Sequence, residues 1–167
     1  MSTPVRTLRN WPGPAASAIL AGLTAFTYQV LLVRHFNVSV PFWDEWQSLI
    51  GTIARYRLYG FDLSWLFQQH LEHRIPVGRL YFLAIYLVFG EADQLALLVG
   101  HAVLMAIIAG LWVYALRRLG ESWWLCGLSL VVLLSLSQHE NILWGFQVEF
   151  YTLVLPVVMA VCAVAFA

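Results

Sequence analysis

The sequence has no lysine: all nine of its basic residues are arginine. Nine acids balance them, so the net charge is zero and no basic excess exists to draw nucleic acid. Charge of either sign is scarce. Charged residues make up 11% of the chain, against about 25% in a soluble domain, too few to coat a water-soluble surface. There are only two cysteines, Cys126 and Cys162, both inside apolar stretches. They give neither a disulfide framework nor a metal-ligand spacing, and read as small hydrophobes. The chain also lacks a phosphate-cradling glycine loop, a nucleophile elbow, an internal repeat and a flexible linker.

What is abundant is apolar surface: 61% hydrophobic residues and a mean hydropathy of +0.76. A spanning helix needs about 20 mostly apolar residues. Ala15 to Val33 and Leu95 to Leu116 qualify, the second with His101 as its sole titratable group. Phe150 to Ala167 is long enough, with Pro156 as a site for a kink. Trp123 to Ser137 is short and needs Ser122 and Gln138 at the interfaces. Val77 to Gly90 is apolar for only about 14 residues, a length that suits an interfacial or re-entrant segment. The expected fold is therefore an all-α, polytopic transmembrane bundle of four spans, with five as the alternative.

Arginines beside short loops mark the cytoplasmic side. Arg6 and Arg9 precede the first span, and Arg117 and Arg118 follow the second. Four spans put both sets on the cytoplasmic side. The long Arg34–Gln94 loop and the short His139–Glu149 loop then share the outer face. Ser48 to Tyr59 and Leu63 to Leu71 read as amphipathic interfacial helices broken by Gly60, with Trp43, Trp46, Tyr56, Tyr59, Phe61 and Trp65 in a headgroup-level belt. The apolar run reaching Ala167 has no polar flank, which suggests a single transmembrane module forming the N-terminal part of a longer protein.

Three clusters carry polar chemistry. In Pro41-Phe42-Trp43-Asp44-Glu45-Trp46, two carboxylates lie just past a span. A carboxylate near the bilayer must be solvated, paired or bound to a cation. Asp44 and Glu45 are read either as a general base or divalent-ion anchor, or as an acidic cap on the next helix. In Gln69-His70-Leu71-Glu72-His73-Arg74-Ile75-Pro76, His70 and His73 would share a face of a helix. The spacing does not match a zinc motif. Arg74, with Arg79, reads as a phosphate grip, or else the segment is an ordinary polar loop. In the third cluster Glu140 ends one span and Glu149 begins the next. Asn141, Trp144 and Gln147 follow at about one-turn spacing and could line one cavity wall, Trp144 stacking on a sugar ring. The alternative there is an aromatic girdle with helix caps.

This order of elements, with His73-Arg74-Ile75-Pro76 after an acidic first loop and a second acidic loop later, resembles the N-terminal module of the GT-C membrane glycosyltransferases. The resemblance covers nearly the whole chain and rests on layout and short motifs. It implies transfer of a sugar from a polyprenyl-phosphate donor at the outer face of a bacterial inner membrane. It makes Asp44 the base and Glu45 and Glu140 supporting or metal-linked acids, with Mg or Mn as a conceivable cation at Asp44 and Glu140. His73, Arg74, Arg79, Asn141, Trp144 and Gln147 would contact substrate. The chain departs from the family pattern at Arg74-Ile75, where many members have a second proline, and at Glu140, where an Asp is common. A non-catalytic membrane partner, binding lipid or assisting assembly, is the alternative.

Overall fold

A computed structural model describes residues 12–37, 39–71 and 73–166. The N-terminal arginines Arg6 and Arg9, and with them half of the charge argument for orientation, lie outside the described residues. Among those described, the chain is mostly helical, and its strands are the two short arms of one hairpin. Among the described residues, four segments are long and apolar enough to cross a membrane: Pro14–Phe36, Gln94–Arg118, Trp123–Leu143 and Gly145–Phe166. The protein is a polytopic all-α membrane bundle.

Helix α1 (Pro14–Phe36) starts on Pro14, which fits the first turn of a helix because its missing N–H has no partner there anyway. Its buried residues are Ser17, Ala21, Ala25, Gln29 and Val33, a strict four-residue ridge that packs into the grooves of a facing helix. That partner is α5 (Gln94–Arg118), capped by the Asp93 side chain on the Ala96 N–H at 3.0 Å. Lipid offers little hydrophobic drive between helices, so close backbone approach matters more. A Cβ on Gly22 would sit 3.0 Å from the Ala106 carbonyl oxygen. One on Gly110 would sit 3.1 Å from that of Ala18.

The long first loop folds into its own layer. A π-helical turn (Trp46–Ile50) runs into α2 (Gly51–Tyr59), which Gly60 ends with φ +74°. Helix α3 is only Leu63–Leu66, not the longer helix to Leu71 that the pattern suggests. Asp62 caps its start. Its end is set from outside: Arg79 Nη1 donates to the carbonyls of Trp65, Leu66 and Gln68 at 2.7, 3.0 and 2.8 Å. The chain then turns through Leu71 (φ +48°) into a hairpin of β1 (Gln69–His70) and β2 (His73–Arg74). His70 and His73 are thus cross-strand partners rather than neighbours on a helix face. Helix α4 (Pro76–Phe89) follows. Its 14 residues reach about 21 Å, too short to cross, and it packs through Phe82 on Leu49, Ile53, Leu97 and Val148.

The third crossing is discontinuous. Helix α6 (Trp123–Leu133) begins on a Ser122 cap and buries only Cys126. Its 11 residues cover about 17 Å. The chain then breaks at Leu134-Ser135, where the Ser135 side chain caps a 3₁₀ turn (Leu136–Gln138) leading into α7 (His139–Leu143). A second 3₁₀ turn (Gly145–Gln147) opens α8 (Val148–Phe166), which runs unbroken through Pro156. Val33, Leu98 and Ile142 form one cluster, so the end of α1, the start of α5 and α7 meet. Both polar loops therefore sit at one end of the bundle.

Candidate functional site

The two loops are joined through Glu45. Its side chain is fully buried, although it lies beside half-buried Asp44 in the sequence. Glu45 Oε2 accepts from the Phe42 N–H at 2.7 Å. Gln94 Nε2, at the head of α5, donates to both carboxylate oxygens at 3.0 and 3.1 Å. The Gly145 N–H of the second loop donates to Oε1. Only glycine permits this approach, because a Cβ at position 145 would lie 2.7 Å from that oxygen. Burial pushes the Glu45 carboxyl above its ordinary value, while the N–H donors of Phe42, Gln94 and Gly145 pull it back. A second stitch runs from Trp144 Nε1 to the Phe42 carbonyl at 3.1 Å.

These bonds leave three aromatic rings on the surface of the joint. Phe42 and Trp43 stack at 5.4 Å and 13°. Trp144 stands nearly perpendicular to both, 6.0 and 6.1 Å away. Trp43 is 71% exposed and held at φ +46°. A left-handed backbone is costly for a bulky residue, about 1–3 kcal/mol, and such strain clusters at binding sites.

Asp44 is not used as a helix cap: its backbone carbonyl accepts from Gln47, Ser48 and the Ser48 hydroxyl, and among the described residues its carboxylate makes no hydrogen bond. The reach-back to an orphan N–H comes from Glu45. His70 lies within electrostatic reach of Asp44, Arg79 and His73. Burial first, and the Arg79 charge second, lower the His70 pKa, with Asp44 pulling the other way. His70 is 8% exposed and rests against Phe146 at 5.8 Å. Glu149 lies against the Gly78 backbone, near Arg79 and His73.

The remaining candidates separate. Arg74 is exposed on β2, and its side chain makes no ion pair or hydrogen bond among the described residues. Arg79 is buried, stacks over Trp65 at 4.6 Å and holds α3 by its carbonyls. Asn141, Trp144 and Gln147 do not share a wall, because the chain is extended at Trp144 (φ −113°, ψ 113°) between two short turns. Trp144 and Glu140 line one cavity. Asn141 lines another, with Tyr151, and Gln147 is buried. Asp44 is not among the walls of the Glu140 cavity. Among the described residues, no three His, Cys, Asp or Glu side chains gather to hold a metal ion.

Two participants are not evident from motif reading: Gln94 and Gly145. Gln94 did carry a signal, an amide placed directly after a helix cap and before an apolar span. Comparison with known protein families, characterised proteins and solved structures finds no match.

Proposed function

We propose that this chain is the membrane module of an inverting glycosyltransferase, which moves a sugar from a polyprenyl-phosphate donor to an acceptor hydroxyl. The reaction takes place at the outer face of a bacterial inner membrane, with the N-terminus cytoplasmic. The reading rests above all on Asp44, a half-buried carboxylate that makes no hydrogen bond among the described residues, next to stacked Phe42 and Trp43 and within electrostatic reach of His70 in the hairpin that carries Arg74. Asp44 takes the proton of the acceptor hydroxyl, general-base help worth typically about 10²–10⁴-fold. The acceptor oxygen then bonds to the anomeric carbon as the bond to phosphate breaks. The leaving phosphate keeps that electron pair, and Arg74, with His73 on the same strand, stabilises its charge. Glu45 acts indirectly, by fixing Phe42 and hence the backbone before Asp44. Glu140 and Trp144 offer an acid and a ring for the sugar. No step is routed through a metal.

A non-catalytic role in lipid binding or assembly is the second reading. It is favoured by Glu45 and Arg79, whose polar groups are spent on holding backbone. Transfer assays on full-length Asp44→Asn and Asp44→Ala separate the two. Loss of turnover by about 10²-fold or more supports the transferase. Near-normal turnover in both removes Asp44 from any mechanism, whereas no turnover by the unsubstituted chain supports the partner role.

A further inference from the structure

The hairpin of β1 and β2 meets the second loop through one buried ring. His70 ends β1 and pairs with His73 across the turn at Leu71. Leu71, His73 and Arg74 are exposed, whereas His70 turns inward and is 8% exposed. Its ring rests on Phe146 at 5.8 Å, tilted by 39°. This seat suits an uncharged ring. His70 Nε2 is buried and has no hydrogen-bond partner among the described residues. A protonated imidazole carries an N–H on both nitrogens, so a proton would leave a charged donor buried without an acceptor, which is costly. The described charged groups that face His70 are Arg79 from α4, His73 from β2 and Asp44 from the first loop. Arg79 is fixed there by three carbonyls at the end of α3. Glu149 of α8 acts on Arg79 and His73. Asp44 alone favours a charge on His70, and among the described residues no hydrogen bond joins it to Nε2. Burial and Arg79 outweigh it and hold the His70 pKa below its ordinary 6.5.

We propose that uncharged His70 is a positioning residue that latches the hairpin onto Phe146, and that a proton on its ring releases the hairpin. The hairpin carries His73 and Arg74, so release frees both from the joint between the loops. The released ring takes up a proton near its ordinary pKa of 6.5, and the docked ring only below that. Docking is therefore at full strength above about pH 6.5 and weakens as pH falls below it. A loss of turnover in acid rests on the phosphate contact proposed for Arg74. The docking itself does not, because it is read directly.

The test is hydrogen exchange on the full chain in neutral-detergent micelles, at about pH 7.5 and about pH 5.5, either side of the ordinary histidine value. Each amide's protection is taken relative to its intrinsic rate at the same pH. One proton changes the docked population by at most about tenfold per pH unit. Protection over residues 68–74 is therefore expected to fall about 3–10-fold at the lower pH, while amides in the middle of α5 keep theirs. His70→Phe and His70→Gln have no titratable ring at this position and should show no fall. His73→Gln should keep the fall. His70→Arg should show the released protection at both pH values. The proposal is overturned by protection that holds or rises in the unsubstituted chain at the lower pH. It is equally overturned by a full-sized fall in His70→Phe and His70→Gln, or by a fully protected hairpin in His70→Arg. Acid release with turnover unchanged supports the latch and counts against the role given to Arg74.

Discussion

Removing the Glu45 carboxylate should release the second loop from the first. In Glu45→Ala, the N–H groups of Phe42 and Gly145 and the Gln94 amide lose their acceptor. A buried donor left unpaired costs about 1–3 kcal/mol. Taking the low end for each of the three donors, because loop groups can turn toward water, gives about 3 kcal/mol. That raises the population of the open loop by roughly 10²-fold, since about 1.4 kcal/mol is a factor of ten. Hydrogen exchange on the full chain measures this at the amides concerned. Gly145 and Phe42 should exchange roughly 10²-fold faster in Glu45→Ala, while amides in the middle of α5 stay unchanged. Glu45→Gln should also accelerate them, because its own NH₂ faces N–H donors. Unchanged protection at both amides in both variants would refute the role given to Glu45.

Other consequences follow from the same contacts. Gly145→Ala places a Cβ 2.7 Å from Glu45 Oε1, so it should destabilise the joint by about 1–3 kcal/mol, read as a lower melting temperature in detergent. Gly22→Leu forces α1 from the Ala106 carbonyl, 3.0 Å from the new Cβ. It should lower thermal stability by a similar amount, about 1–3 kcal/mol, whereas Gly127→Leu, with open space around it, should not. Arg79→Met leaves three carbonyls without their donor and should make the Trp65–Gln68 segment sensitive to limited proteolysis. Glu45 also predicts a pH slope. Its carboxyl is raised above 4.5 by burial, so the folded state holds its proton over a range where the unfolded state has lost it. Stability therefore falls as pH rises from about 4.5 to the folded value and is flat above it. Glu45→Gln should abolish that slope in melting curves across acid pH.

The long spans were legible because length and apolarity alone decide them: Gln94–Arg118 contains the expected Leu95–Leu116 run within it. Helix α4 was likewise readable as too short to cross. The break in the third crossing was not. Leu133-Leu134-Ser135-Leu136 stays apolar through it, and the stop comes from Ser135 capping the next turn. The hairpin around Leu71 was hidden for another reason. Local residues suit a helix, but Arg79, far along the chain, takes the carbonyls at its end. The same limit applies at the site. Asp44 and Glu45 are chemically alike as neighbours in a sequence, and only donors from Gln94 and Gly145 decide that Glu45 is the buried one. Arg79 was readable as a cation in the loop, but not as one enclosed by carbonyls.

The central claim is that both polar loops lie at one face of the membrane and the Arg117-Arg118 turn lies at the other. Single cysteines at Glu91, Glu140 and Arg118, in a chain with buried Cys126 and Cys162 replaced by alanine, test it in sealed, right-side-out vesicles. A membrane-impermeant maleimide should label Glu91→Cys and Glu140→Cys from outside, and Arg118→Cys only after the vesicles are opened. Labelling of Arg118→Cys from outside, or protection of either loop position, would contradict the arrangement.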